Sequence, residues 1–225
     1  MKYVTDAKEA KQIDSISINE IKIPSLVLME RAALGIVDEI KKRYSNLCCD
    51  QTVFESENKK KSAGIKITDL RILVVAGMGN NGADGVAAAR MFTHDGIKTD
   101  IKLIGNIDHA SEEMKRQLEI ADNLGISFVT DMEKNEYDII IDAIFGIGLS
   151  REIAGEYKEI IEKINNSRAY VVSADISSGV NATDGKILGT AVKADMTVTF
   201  GSLKRGMMLF PGAAYSGEIK VKDIG

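Results

Sequence analysis

The chain has 225 residues, 44% hydrophobic and 28% charged, which suits one well-filled domain or two small ones and excludes a disordered, collagenous or low-complexity protein. Twenty-nine Lys and Arg against 33 Asp and Glu leave a net charge of −4, so no basic surplus points to nucleic acid, and 5% aromatic content without Trp argues against a base-stacking surface. No run reaches the ~20 apolar residues of a membrane helix, and the charged opening MKYVTDAKEAKQID lacks the apolar core of a signal peptide.

Thr5 is expected to cap a first helix with Ala10, Ile13 and Ile16 along one face. Pro24-Ser25 punctuates. A second helix then carries Met29, Ala33, Ile36, Val37 and Ile40 at helical spacing and is expected to end near Tyr44. Residues 45–69, which include ESENKKKSAG, have no periodicity and read as a solvated surface insertion. The adjacent Cys48 and Cys49 cannot staple a fold, which suits a reduced, cytoplasmic setting.

Leu70–Ala76 is a buried strand, closed by Gly77, with a helix running through AAARMF beyond it. Thr99–Ile104 is strand-like. Ser111 caps the next helix, with Glu112 and Glu113 in its first turn, Met114, Leu118, Ala121 and Leu124 along one face, and Gly125 as its stop. Strands follow at Ile126–Val129 and Tyr137–Asp142, then a helix with Tyr157, Ile160, Ile161 and Ile164 in register. Three more strands fit Ala169–Ala174, Met196–Phe200 and Glu218–Val221. This alternation implies an α/β fold, a mainly parallel sheet covered on both faces, in one domain over 1–225. Such sheets bind ligands where strands run out into loops at their carboxyl ends.

Four of those ends are unusual: GMGNNGADG at 77–85, DAIFGIGL at 142–149, DISSGV at 175–180 and GSLKRG at 201–206. The first contains G-x-G-x-x-G at Gly77, Gly79 and Gly82, a weak signal alone, although glycines permit close approach of an anion to a helix N-terminus. The dinucleotide-binding fold wants an acid at the end of the second strand for the ribose; here stand Ile104-Gly105-Asn106, with Asp100 at the strand's start. No Gly-Lys-Ser/Thr follows, so a P-loop is excluded too. A turn needs no Asn-Asn, and Asp84 beside a phosphate would repel it. Asp84 therefore faces a sugar hydroxyl or shares a cation, and Asn81, Asp142 and Ser178 offer hard oxygen ligands from adjacent strand ends. Each loop alone is also explained by ordinary turn and cap chemistry; four at one sheet edge are not. His94 and His109 read as surface residues, no G-x-S-x-G elbow occurs, and Met78, Met207 and Met208 read as packing or pocket lining.

At these residues the sequence resembles the NAD(P)H-hydrate (NAD(P)HX) epimerase family, the YjeF N-terminal domain. The matching segments are IPSLVLMERAA at 23–33, GMGNNGADG at 77–85, DAIFGIGL at 142–149, DISSGVNATDG at 175–185, ADMTVTFGSLKRG at 194–206 and GEIKVKDIG at 217–225. The resemblance implies a Rossmann-like three-layer α/β/α sandwich that interconverts the R and S forms of hydrated NADH and NADPH. It implies that Asn80, Asn81, Gly82, Ala83 and Asp84, the loop Gly146, Ile147, Gly148, Leu149, Ser150, Arg151 and Glu152, and Asp175 contact this substrate. It further implies one potassium ion (K+) per subunit on Asn81, Asp142 and Ser178, a homodimer, and an ATP- or ADP-dependent NAD(P)HX dehydratase as partner, fused or separate. Two residues depart from the family pattern. Ala83 replaces a glycine, and its methyl is expected to crowd a phosphate or to forbid a positive φ. Ser177 replaces a proline and is expected to loosen the turn that aims Asp175 and Ser178.

Hydration places a hydroxyl on C6 of the reduced ring, beside N1. The centre inverts if the hydroxyl leaves to give an iminium and water returns on the other face. Asp175 is the preferred acid–base group. Lys204 either polarises the hydroxyl, binds phosphate or is simply solvated. Two rival readings remain: a non-catalytic binding module on the same fold, and an ordinary NAD(P) dehydrogenase. Leu26, Leu28 and Met29 either bury against the sheet or form a dimer face.

Overall fold

The computed structural model describes residues 3–49, 66–132 and 136–225. Seven strands form one all-parallel sheet: β2 (Arg71–Ala76), β3 (Lys98–Leu103), β4 (Ser127–Phe128), β5 (Ile139–Ala143), β6 (Tyr170–Ala174), β7 (Met196–Phe200) and β9 (Glu218–Lys222). Their order is β4-β3-β2-β5-β6-β7-β9, while β1 (Val4–Thr5) pairs separately with β8 (Leu203–Lys204). The helices are α1 (Ala7–Asn19), α2 (Ser25–Cys49), α3 (Asn80–His94), α4 (Glu112–Asn123) and α5 (Glu156–Asn166). This is the expected Rossmann-like α/β/α arrangement.

The alternation of side chains along each strand feeds two cores. Ile72, Val74 and Ala76 of β2, with Ile139 and Ile141 of β5, pack with α2, α3 and α4. Leu73, Val75 and Ile140 point the other way, to Ile160, Ile161 and Ile164 of α5. A third, smaller core under the C-terminal loops gathers Ile176, Val180, Ala191, Leu203 and Met207. Met29 is buried in the core with the strands and Leu28 is buried in the lining of a cavity, so those two side chains are not available to a dimer face.

Several local expectations change. The first helix is capped by Asp6 rather than Thr5: its carboxylate accepts from the amides of Lys8 and Glu9, and Glu9 returns a bond to the Asp6 amide. Thr5 instead enters β1, opposite Lys204, with its hydroxyl 2.7 Å from that of Ser202. Ile13 and Ile16 are exposed, and Ala10 and Ser17 are the buried positions of α1. The second helix runs beyond Tyr44 to Cys49, so the proposed insertion begins inside a helix; residues 50–65 of it lie outside the described residues, and Ile67–Asp69 form a short 3₁₀ turn. Leu124 and Met208 are exposed instead of packed, whereas Ser111 and Gly125 bound α4 as expected.

The chain reverses its direction of winding between β2 and β5. The crevice outside the carboxyl ends of such a pair is where doubly wound sheets take ligands. Gly77 lets the two strand ends close on each other: its amide donates to the Ala143 carbonyl at 3.0 Å, and a Cβ there would collide with the Ile144 carbonyl.

Candidate active site

A cavity of about 830 Å³ opens at this crevice, inside the ~300–1,000 Å³ range of small-molecule sites. Its floor is made by the strand-end loops, including Gly79–Asn81, Asp84, Phe145–Arg151, Asp175 and Lys204, and its outer wall by α1 and the start of α2. The structure therefore brings together most of the residues singled out in sequence. Gly82 and Ala83 instead lie within α3 behind the cavity wall, and Glu152 lines a small neighbouring depression with Tyr157. His109, exposed as expected, stands at the cavity rim.

The chemical centre is an ion pair. The Lys204 ammonium lies 2.6 Å from Asp175 Oδ1 and is almost wholly buried, donating also to the Thr199 hydroxyl at 2.9 Å and the Phe200 carbonyl at 2.8 Å. The solvated-lysine alternative is thus excluded. Asp175 has φ +65, in the left-handed region, and the Ile176 amide bonds back to the Ala174 carbonyl at 2.8 Å. That is a γ-turn of the rare, strained form. The neighbouring strand repeats it: Gly201 has φ +68 and the Ser202 amide bonds the Phe200 carbonyl at 2.7 Å. These tight reversals at the ends of β6 and β7 leave Asp175 and Lys204 facing each other with little freedom to separate.

Neither departure from the family pattern has the expected effect. Ala83 is fully buried in the first turn of α3, where its φ is not positive and its methyl points away from the cavity lining. Ser177 is buried too, and its hydroxyl donates to the Tyr215 carbonyl at 2.9 Å, while the Val180 amide bonds the Ser177 carbonyl at 3.0 Å. The turn is held, by a hydrogen bond where proline would hold it by its ring.

Asp142 lies within β5, fully buried. It accepts from the Ser178 hydroxyl at 2.6 Å, the Ser178 amide at 2.9 Å and the Ser173 hydroxyl at 2.8 Å. Burial pushes its carboxyl above the usual carboxylate range despite these bonds. The Ser178 hydroxyl also accepts from the Phe145 amide at 2.9 Å. Next along the chain, a Cβ on Gly146 would stand 3.3 Å from Asn81 Cβ and 3.4 Å from Asp175 Oδ2, so the Phe145–Gly146 seam joins all four residues. Both polar atoms of the Asn81 side chain are buried without a hydrogen-bond partner. Orphaned buried amides are costly and call for a ligand. An amide oxygen, a carboxylate and a hydroxyl suit a hard cation; no cluster of three His, Cys, Asp or Glu that could hold a metal occurs among the described residues.

Asp84 adds a second carboxyl. Burial first, then the nearby charges of Asp175 and Asp14, raise it well above the usual range, against the opposing effect of Lys204. A carboxyl that holds its proton more readily than an ordinary aspartate repels a phosphate less, which eases the difficulty the sequence posed. The N-terminus of α3 has no side-chain cap, since Gly79 holds that position, and it opens on the cavity. Asp100, the nearest acid on β3, is instead bound by Arg71 at 2.7 Å and Tyr137 at 3.0 Å, so the ribose-binding acid of dehydrogenases has no counterpart at the end of β3.

Sequence reasoning passed over α1. Lys11 and Asp14 both line the cavity, and Asp14 is raised by desolvation at the cavity wall and by Asp175. No sequence signal marked it: the pairing of Thr5 with Lys204, which starts α1 beside the ion pair, is a two-residue parallel bridge that leaves no pattern in sequence.

The strain of the γ-turn at Asp175 predicts that Asp175→Gly is more stable than Asp175→Ala by about 1–2 kcal/mol, since neither keeps the carboxylate and only alanine resists a positive φ. Urea unfolding of the two variants checks this, and equal stabilities would contradict it.

The family model described as YjeF-related protein N-terminus matches residues 25–206. A protein of Oenococcus oeni named NAD(P)H-hydrate epimerase is 40% identical over 220 residues, covering 97% of this chain and 95% of its own. Proteins of the same name from Weissella koreensis and Limosilactobacillus fermentum are 39% and 41% identical, covering 97% and 96% of this chain and 90% and 94% of their own. Among solved structures, yeast ynu0 superposes with a TM-score of 0.72 at 20% identity, covering 92% of this chain and 83% of that one, which supports the fold alone. The chain belongs to the YjeF-related N-terminal family.

Proposed function

We propose that this protein is an NAD(P)H-hydrate epimerase, an isomerase that interconverts the R and S forms of hydrated NADH and NADPH. Relatives of that name at about 40% identity over nearly the whole chain support the reading. The observation that carries it in the geometry is the buried Asp175–Lys204 pair, held at a strained turn and facing the cavity.

The substrate is a hemiaminal, with a hydroxyl on the ring carbon next to N1. Loss of that hydroxyl as water gives an iminium, and readdition on the opposite face inverts the centre. Asp175 handles a proton at the hydroxyl oxygen and its carboxylate stabilises the cation that forms. Lys204 fixes the position of Asp175 and keeps its charge paired in a nearly dry site. The uncapped start of α3 and Asp84, whose pKa is raised, receive the phosphates and sugar, with Lys11 and Arg151 as further cations on the cavity wall. Potassium on Asn81, Asp142 and Ser178 belongs to this reading; bound there, it supplies positive charge that offsets the buried carboxylates and ties the loops together. A homodimer and an NAD(P)HX dehydratase as functional partner, fused or separate, complete it. No described helix is long and apolar enough to cross a membrane.

Mixed R- and S-NADHX, supplied with an S-specific dehydratase in potassium buffer, tests the proposal. The protein should accelerate disappearance of the R epimer beyond the spontaneous rate; a folded protein that gives no acceleration points to a binding module instead. The cation has its own test. A raised folded-state pKa at Asp142 means that apo stability falls as pH rises from the ordinary carboxylate range through that raised value. Potassium chloride should therefore raise Tm over tetramethylammonium chloride at equal ionic strength, the added stability being about 2–3 kcal/mol near hundredfold saturation. The gain should be greater at pH 8 than at pH 5 and absent in Asn81→Ala. Identical melting in both salts at pH 8 would count against the site.

A further inference from the structure

Inversion poses a geometrical demand that one carboxylate does not meet. The hydroxyl leaves from one face of the ring and water returns on the other, so protons must be handled on both faces. Asp175 approaches from the floor, at the end of β6. The wall formed by α1 carries its own carboxyl, Asp14, midway along the helix and outside the segment matched by the family model.

We propose that Asp14 is a second acid–base group of the epimerisation, serving the ring face opposite the one served by Asp175. The proposal rests on the epimerase reading above. Four observations support it. Asp14 lines the same cavity as Asp175, yet comes from a separate element. Its charged surroundings are the chemical centre itself: Asp175 and Lys204 act on it, and it acts on Asp84. Asp14 is solvent-exposed on the cavity wall; desolvation by that wall and the charge of Asp175 raise its pKa, so it holds a proton more readily than an ordinary aspartate, while Asp175 is ion-paired with Lys204. Finally, α1 is poorly explained as a core helix. It buries only Ala10 and Ser17 and leaves Ile13 at the cavity wall, and it is fixed in place by β1 pairing with β8 and by the Ala7 amide donating to the Thr183 hydroxyl at 3.2 Å.

The proton balance closes without any further reactant. Protonated Asp14 gives its proton to the hydroxyl on its own face; the C6–O bond breaks with its electron pair on oxygen, water departs, and the N1 lone pair forms the iminium. Water on the other face adds to C6 and gives up a proton to the Asp175 carboxylate. The reverse conversion returns the proton by the same path, and exchange with solvent resets the pair after a net forward turnover.

Oxygen exchange separates this role from a structural one. R-NADHX and S-NADHX are incubated separately in water enriched in oxygen-18 with the wild type, Asp14→Asn, Asp14→Glu and Asp175→Asn. Epimer ratio and label are both followed, with the spontaneous reaction subtracted. The wild type should invert and label together. Asp14→Asn should slow inversion at least ~100-fold yet still label, with retention, the epimer whose hydroxyl faces Asp175; Asp175→Asn should do the same for the other epimer. Asp14→Glu should regain at least tenfold over Asp14→Asn. The proposal is overturned if Asp14→Asn inverts within threefold of wild type. It is equally overturned if inversion and exchange fall in step for both epimers, which marks a positioning or folding role. A wild type that fails to invert at all sinks the epimerase reading itself, a separate and visible outcome.

Discussion

The structure is organised around one costly interaction, the contact of the Asp175 carboxylate with the buried Lys204 ammonium. Desolvating two charges offsets much of their attraction, so such a pair adds little net stability, while removing either partner strands the other at a cost of roughly 3–5 kcal/mol. Asp175 also occupies a backbone conformation that disfavours every residue but glycine and, to a lesser degree, asparagine and aspartate. A charged residue under strain on the floor of a cavity is the arrangement expected where chemistry, not stability, sets the sequence.

The rest of the fold positions that pair. Parallel strands deliver all their carboxyl ends to one edge, and the reversal of winding between β2 and β5 opens the crevice there. The two γ-turns at the ends of β6 and β7 replace loops with single-residue reversals, so Asp175 and Gly201 leave the sheet at once and little slack remains. From Asp142 the Phe145–Gly146 seam links the Ser178 turn, Asn81 and Asp175, which lets the unpartnered amide of Asn81 and the buried Asp142 lie close to the reacting centre without joining the ion pair. Charge is unevenly matched in this space: three carboxyls, Asp14, Asp84 and Asp175, share the influence of Lys204. The pKa values of Asp14 and Asp84 are raised in keeping with that imbalance.

Much of this was legible in the residues. Buried parallel strands betray themselves as short apolar runs, and β7 has the bounds that its sequence predicts. Asn81, Asp142, Asp175 and Ser178 stood out because polar residues cluster where those runs end. What escaped were effects carried by tertiary contact. Lys204 stood among the candidates, but its sequence did not distinguish a buried partner of Asp175 from a solvated lysine; the pairing of β8 with β1 does. Ile13 and Ile16 have helical spacing, but the helix faces a cavity rather than a core, so periodicity gave the wrong buried face. Ala83 looked obstructive because a glycine loop was assumed to continue through it; α3 has already begun at Asn80, and a helical alanine fits. Asp14 gave no sign, since its importance depends on a two-residue bridge between the chain's beginning and its end.

The claim on which the account turns is that Asp175 and Lys204 act as a single unit in catalysis. A double-mutant cycle on kcat/KM for epimerisation, with Asp175→Asn, Lys204→Met and the two combined, tests it most directly. The account predicts that the double variant is no slower than the slower single variant, because loss of either partner already disables the pair. Losses that multiply would show two independent contributions and contradict it.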